Sequence, residues 1–437
     1  MLVSSRASSR TLGAASRQRP WGARHAISYP TDQRLLLHLS DETKGITMST
    51  ATRSPIRAID LQNDRILDHD PFEALDAWRE SPPFWCEDFG GFWVVTRFED
   101  CRDLLQDAET FASGMGTTVP AVELADLLLP SFVNPPHVQK LRAIVLPHMT
   151  PKRINALEPK MRQVCSDLIS SFRDQGSCDI IRSFARQYPI RVFSELFGLP
   201  SDRQEEFRDH AETFLHDWER QAEAWVSIRD IVREQLEEKR KHPRDDLLSA
   251  IACGRIDDAP IDVDSAVNLA STVFLGGLDT LPSNIGWSFR YLADHPDARR
   301  RIVEDPPVVP RMVEEFLRLW TVTAKEPRKA TRDIVFKGVQ MYEGDRVQAL
   351  IGVANHDGAE FEDPLTANFD RRINRHIAFA AGPHRCLGSH LARHELEVAL
   401  EEWHKVLPDY RIVPDTKLFY DGGGIFAIDN LPLEWAV

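Results

Sequence analysis

Apolar and polar positions change their rhythm along the chain. In "FGGFWVVTRFEDCRDLLQDAETFAS", Phe89 to Ser113, the compact run Phe92 to Thr96 predicts a strand. The spaced leucines after it predict a helix capped near Glu99 or Asp100. From Pro151 to Leu199, Ser201 to Lys241 and Asp262 to Asp294, apolar residues recur at helical spacing between Pro and Gly breaks. Strand-like pieces gather late, in "DIVFKGVQMYEGDRVQALIGVAN" and in the tail from Tyr410 to Trp435. The expected class is mainly α with a smaller β-rich part. After Met48 there is no fixed-period repeat, low-complexity tract or Gly/Ser linker, so one large domain over residues 48–437 is expected.

Composition alters this picture at the N-terminus. The first 31 residues carry Arg6, Arg10, Arg17, Arg19 and Arg24 and no acid, with many Ser and Ala, as a mitochondrial presequence would. "MSTATRSPIRAID" from Met48 reads equally well as a natural start. Residues 1–47 are therefore expected to be a disordered leader or a mis-annotated upstream extension. A cytoplasmic location follows from the remainder, a mitochondrial one if the leader is a real presequence. The formal charge of -14 argues against a nucleic-acid partner, and no run of about 18 apolar residues predicts a membrane anchor.

The six cysteines, Cys86, Cys101, Cys165, Cys178, Cys253 and Cys386, are dispersed and form no C-x-x-C pair, which fits a reducing compartment. Only Cys386 has a special setting, in "FAAGPHRCLGSHLARHEL", just before a predicted helix. The N–H groups of Leu387, Gly388 and Ser389 would lower the pKa of its thiol and bond the thiolate. Gly382 and Gly388 would let the backbone approach a flat partner. Ala392, Leu396, Leu400 and Trp403 form an apolar stripe that anchors the helix. On local physics alone a buried filler remains an even alternative, and a Cys/His hydrolase using His384 is a further one.

Phe379, Gly382, His384, Cys386 and Gly388 match F-x-x-G-x-H-x-C-x-G, so the chain resembles the cytochrome P450 family of haem-thiolate monooxygenases. That resemblance implies that Cys386 is the axial ligand of haem b, iron protoporphyrin IX. "FLGGLDTLPSN", Phe274 to Asn284, is similar to the family's long central helix. Two glycines and Pro282 disfavour a regular helix there, and Pro282 leaves the Leu278 carbonyl free. The resemblance gives Asp279 a proton-relay role, with Arg191 of "YPIRVF" as its salt-bridge partner, and gives Thr280 a hydrogen bond to oxygen. "EEFLRLW" and "NFDRR" resemble the structural network of Glu315, Arg318 and Arg371. Arg142 of "NPPHVQKLR", Arg328 and His384 align with the groups that bind the haem propionates. Asn134 replaces the usual Asp, and His137 stands one place early and receives no propionate role.

"GGLDT", "YPIRVF" and "FKGVQ" look most like the bacterial camphor-hydroxylating branch. This implies O2-dependent hydroxylation, fed by a [2Fe–2S] ferredoxin and its FAD-dependent ferredoxin reductase. "VELADLLLPSF" lacks the tyrosine that holds camphor, so another small hydrophobe is expected, terpenoid-like or else a compact aromatic. Leu127, Leu128 and Leu129 suit an apolar wall, and Thr272, Leu275, Gly276, Thr323 and Ala324 align with the distal lining. A peroxide-driven haem-thiolate enzyme, a haem-based sensor and a cysteine hydrolase are the competing classes. Ferredoxin-dependent turnover separates the first two from a monooxygenase, and a visible spectrum the third.

Overall fold

A Cβ built on Gly382 would lie 2.3 Å from the Leu105 carbonyl oxygen, so the turn carrying Cys386 is pressed against a helix nearly 280 residues earlier in the chain. That contact shows how the fold is assembled: local elements are brought to the site from distant parts of the sequence. The computed structural model describes residues 67, 69–114, 119, 128–200, 202–217 and 219–437. The proposed leader 1–47 and Leu127 lie outside the described residues.

The principal sheet has five strands: β1 (Phe84–Cys86), β2 (Phe92–Val95), β3 (Phe111–Ala112), β4 (Glu326–Ala330) and β5 (Arg346–Ala349), in the order β1-β2-β5-β4-β3. β5 runs parallel to β2 and antiparallel to β4, where Val347 faces Arg328 across the ladder. This register fixes Arg328, 3% exposed, at the base of the site. The C-terminal segment adds a three-stranded sheet of Arg411–Ile412, Pro432–Glu434 and Ser177–Asp179, and the hairpin of β6 (Tyr420–Asp421) and β7 (Ala427–Ile428).

Seven helices position the chemistry: α1 (Phe98–Gln106), α2 (His137–Val145), α3 (Gln187–Phe197), α4 (Val263–Gly276), α5 (Thr280–Asp294), α6 (Val309–Leu319) and α7 (Ser389–Val406). α1 starts at Phe98, ahead of the expected Glu99 or Asp100. Its first N–H donates to Asp357 Oδ2 at 2.8 Å, a cap supplied from 259 residues away. α4 is capped locally, Asp262 accepting from Ser265 N at 2.9 Å. α7 buries Leu396, Leu400 and Trp403 completely, and Trp403 lies edge-on to Phe289 and Phe184 at 5.0 and 5.5 Å. Each such side chain contributes about 2–3 kcal/mol of burial, which makes α7 a rigid mount for the preceding loop. Among the described residues no helix is long and apolar enough to cross a membrane.

Candidate active site

The Cys386 N–H donates to the Phe379 carbonyl at 2.9 Å, closing the loop "FAAGPHRC" on itself. Gly382, at φ +70°, and its contact with Leu105 set the turn. Thus Gly382 admits the α1 backbone and not a flat ligand, a correction to the sequence reading. At Gly388 the nearest atom to a built Cβ is Cys386 Sγ, 3.9 Å away, so this glycine leaves open space beside the sulfur. The thiol is exposed, but to an internal cavity of about 340 Å³. Burial pushes its pKa up, against the Gly388 N–H and the Arg142 charge, which pull it down. The helix start thus does not by itself generate a thiolate, as the sequence reading had it. A bound metal ion would remove that proton.

Phe379, His384, Cys386, Leu387 and Gly388 line this cavity from the loop side. Thr272, Gly276, Gly277 and Thr280 line it from the opposite side, with Val322 and Thr323 between. Leu275 and Ala324 do not line it. Leu275 packs against the core, and Ala324, fully buried, backs onto Gly352. Met149, in the bend that follows residues 146–148, and Phe193 of α3 complete the apolar wall; the sequence reading did not identify them, because an apolar pattern reports only burial.

The central helix is interrupted. α4 ends at Gly276 and α5 begins at Thr280, with residues 277–279 as a turn. Thr280 Oγ1 donates to the Gly276 carbonyl at 3.1 Å, bridging the break. Ser283 bonds the Asp279 carbonyl through its side chain at 2.8 Å, and Asn284 Nδ2 bonds the Thr280 carbonyl at 2.8 Å. Burial, then the Asp421 charge, raise the Asp279 pKa to about 6, opposed by Arg186. Arg186 is therefore the arginine that acts on Asp279. Arg191 is exposed on α3 and does not.

Cationic groups gather at the rim. Arg142 reaches from α2 to donate to the Arg385 carbonyl at 2.6 Å. Arg328 donates through Nη1 to the Pro327 carbonyl at 2.7 Å, while its Nη2 is buried without a partner, as is His384 Nε2. Burial, and then the charges of Arg328 and Arg142, bring His384 down to about 4, so its ring is neutral at pH 7. An orphaned Arg328 donor, an orphaned His384 ring nitrogen and the Arg142 cation, beside an open slot next to a thiol, fit a flat group that bears carboxylates, and haem b is such a group. Asn134 makes a two-way bond with Ser113, accepting from its N–H at 2.8 Å and donating to its carbonyl at 2.7 Å, which an Asp could not do. His137 is exposed.

Beneath the loop, Glu315 and Arg318 are both 0% exposed and paired through two hydrogen bonds of 2.9 and 2.7 Å. Glu315 also accepts from Arg371 at 3.3 Å, Asn374 at 3.0 Å and the Asn368 N–H at 2.9 Å. A neighbouring network escaped the sequence reading. Glu314 accepts from His376 at 3.0 Å and from both Nε and Nη2 of Arg393. Burial raises its pKa, but these partners bring it down to about 2. Arg393 in turn lies 4.5 Å over the Phe379 ring. The only available signal was Glu314 beside Glu315, which a helix surface would also produce.

Comparison with known proteins bears on this geometry. The family model "Cytochrome P450" matches residues 194–415. The chain is 33% identical over 348 residues to the probable cytochrome P450 127A1 of Sinorhizobium fredii, covering 79% of this chain and 84% of that one. It is 32% identical to the mycinamicin IV hydroxylase/epoxidase of Micromonospora griseorubida, over 82% of this chain and 92% of that one. The crystal structure of cytochrome P450 CYP101C1 superposes with a TM-score of 0.79 at 29% identity, covering 87% of this chain and 96% of that chain. CYP101J2 gives a TM-score of 0.75 at 28% identity, over 87% of this chain and 100% of its own length. The chain belongs to the cytochrome P450 family, the monooxygenases that bind haem b through a cysteine thiolate.

Proposed function

We propose that this enzyme hydroxylates a small, hydrophobic, terpenoid-like substrate with O2 and electrons from a separate [2Fe–2S] ferredoxin served by an FAD-dependent reductase. The observation that carries the reading is the convergence of Cys386, the Gly276–Thr280 break, Arg142 and His384 on one cavity, with the Arg328 charge acting on His384 from behind. In this reading the Cys386 sulfur would hold the haem iron, and Arg142, Arg328 and His384 would hold the propionates. Gly388 and Phe379 shape the cavity wall beside Cys386, and Glu315, Arg318 and Arg371 support it. Residues 48–437 form the catalytic domain.

Haem, when bound, supplies the activation of O2 for insertion into a C–H bond. The chain's own groups do the rest. The break exposes the Thr280 hydroxyl to the cavity, where it can donate to oxygen. Asp279, raised to about 6, is close enough to neutrality to take up a proton and pass it toward Thr280. Thr272, Val273, Val322 and Thr323 set the substrate against the reacting centre, and the apolar wall excludes water.

A shallow face beside the Cys386 loop carries Arg102, Arg375 and Arg385. Arg375 pairs with Glu360 and Arg102 with Asp103 there, so it is Arg385 that offers its charge to a small acidic electron donor. A second substrate reading, a macrolide or similar large ring, draws on the mycinamicin IV hydroxylase/epoxidase and 6-deoxyerythronolide B hydroxylase among the relatives.

The dithionite-reduced protein with CO should give a strongly red-shifted Soret band that Cys386→Ala lacks. Titration of the ferric protein with terpenoids, aromatic compounds and macrolides should give spin-state shifts with the first class. A shift with macrolides alone would replace the terpenoid reading. Absence of haem even after reconstitution would overturn the whole proposal.

A further inference from the structure

Glu314, His376 and Arg393 are gathered around one ring of the cavity wall. Arg393 of α7 lies 4.5 Å over the Phe379 ring. Phe379 lines the cavity beside Cys386, and its carbonyl accepts the Cys386 N–H at 2.9 Å. Glu314 of α6 holds the guanidinium as a fork, Oε1 accepting from Nε and Oε2 from Nη2, the latter at 3.0 Å. Arg393 Nη1 donates to the Ser389 carbonyl at 3.2 Å, in the first turn of α7.

His376 adds no charge to this arrangement. Its Nδ1 accepts from the Ala378 N–H at 3.2 Å, which places its proton on Nε2, 3.0 Å from Glu314 Oε2. An imidazolium would present two donors and lose the first of these bonds. The three side chains therefore sum to zero charge, one carboxylate against one guanidinium. A strut joining α6 to α7 would need the fork, but not a guanidinium laid over a ring of the cavity wall.

We propose that Glu314 is a positioning residue that, by cancelling the Arg393 charge held over Phe379, keeps the Cys386 sulfur electron-rich and sets how readily the bound haem takes an electron. The proposal rests on the monooxygenase reading above and deepens it. The step concerned adds one electron, supplied by the ferredoxin, and breaks no bond. A cation on this side favours the reduced, more negative form and draws charge from the sulfur; a carboxylate on the same cation undoes both. The Glu314 and Arg393 side chains are 29% and 23% exposed, so solvent screens them in part. Each charge is then expected to weigh about three- to tenfold in the ratio of reduced to oxidised protein at a fixed potential.

The test uses the haem-loaded full chain, a redox titration followed by visible absorbance, and the infrared C–O stretch of the reduced CO complex. Glu314→Gln should raise the reduced-to-oxidised ratio at the wild-type midpoint by about three- to tenfold and move the C–O stretch up, since less charge is pushed onto CO. Arg393→Gln should move both readings the opposite way, and the double variant should return them to within about twofold of wild type. Glu314→Asp, which keeps the charge, should stay near wild type. Loss of a mere strut would move both single variants the same way, and the double variant would not repair it. Shifts of one sign in the two single variants, or no shift in Glu314→Gln, overturn the proposal and leave the monooxygenase reading intact. Should Arg393→Gln lose its haem, Glu314→Gln against Glu314→Asp still decides, equal values overturning the proposal. If the wild type binds no haem, the monooxygenase reading fails and this role fails with it.

Discussion

Replacing Glu315 by Gln tests how far the cysteine loop depends on a buried charge. The carboxylate accepts two hydrogen bonds from Arg318, one each from Arg371 and Asn374, and one from the Asn368 N–H. Gln keeps the volume but removes the charge, and its amide places donors where Arg318 and Arg371 already donate. The Arg318 guanidinium then stays at 0% exposure with only the carbonyls of Asn355, Pro364 and Thr366 around it. Breaking a buried pair in this way costs about 3–5 kcal/mol. In a body of this size that is a fall in melting temperature of about 4–6 °C. Burial raises the Glu315 pKa, but Arg318, the Asn368 N–H and Arg371 outweigh it and hold it below the usual value. A depressed carboxylate contributes stability above its unfolded pKa and loses it as pH falls through the folded one. The gap between wild type and Glu315→Gln should thus be full at pH 7 and shrink below the ordinary carboxylate range. Urea unfolding followed by circular dichroism at pH 7 and at pH 4 measures both. A variant within 1 kcal/mol of wild type at pH 7, or a gap that grows on acidification, would refute the reasoning.

Gly382→Ala should abolish haem retention, since its Cβ would lie 2.3 Å from the Leu105 carbonyl at a backbone φ of +70°. Gly388→Ala, with open space at its Cβ, should fold normally and lose haem affinity only; the Soret absorbance after gel filtration and a thermal melt of the apoprotein separate the two. Lys325 is driven by burial down to about 7, opposed by Asp421, while its Nζ donates to the Gly423 carbonyl at 2.6 Å. A lysine with a lowered pKa penalises the fold fully below that pKa, and the penalty fades as pH rises toward 10.5. Lys325→Met should therefore be more stable than wild type by about 1–3 kcal/mol at pH 6. The advantage should narrow by pH 9, as unfolding curves at the two pH values would show.

Much of this site was legible because its signals are local. Cys386, Phe379 and Gly388 fall within ten residues, and Thr280 meets Gly276 one turn back in the same segment. Glu315 and Arg318 are likewise one turn apart. What the sequence hid is set by distant contacts. Gly382 was read as facing a flat ligand, but its constraint comes from Leu105. Arg191 looked like the partner of Asp279 because it sits in a recognisable string, yet helical phase turns it outward and brings Arg186 instead. Leu275 fails for the same reason, being one residue out of phase with the cavity face of α4, and Ala324 faces Gly352 across the chain. The start of α1 was displaced because Asp357 caps it from another element. Periodicity reports which residues are buried, and a cap or a charge partner from elsewhere leaves no periodic trace.

The interruption between Gly276 and Thr280 stands between two cavities, one of about 340 Å³ lined by Thr280 and Cys386 and one of about 260 Å³ lined by Asp279 and Asp421. In a regular helix, consecutive residues differ by about 100° in direction, and their backbone groups are committed to one another. Here the glycines relax the backbone and Pro282 cannot donate to the Leu278 carbonyl, so the turn holds Asp279 toward the acidic cavity and Thr280 toward the thiol. The cost, about 1 kcal/mol for each glycine and more for the proline, is offset where Thr280, Ser283 and Asn284 bond back to the carbonyls of Gly276, Asp279 and Thr280. The Asp279 carbonyl accepts from the Ser283 N–H as well, at 3.3 Å. The strand of chain between the cavities is thereby kept ordered without being closed, and acid and thiol chemistry stay one residue apart but on opposite sides.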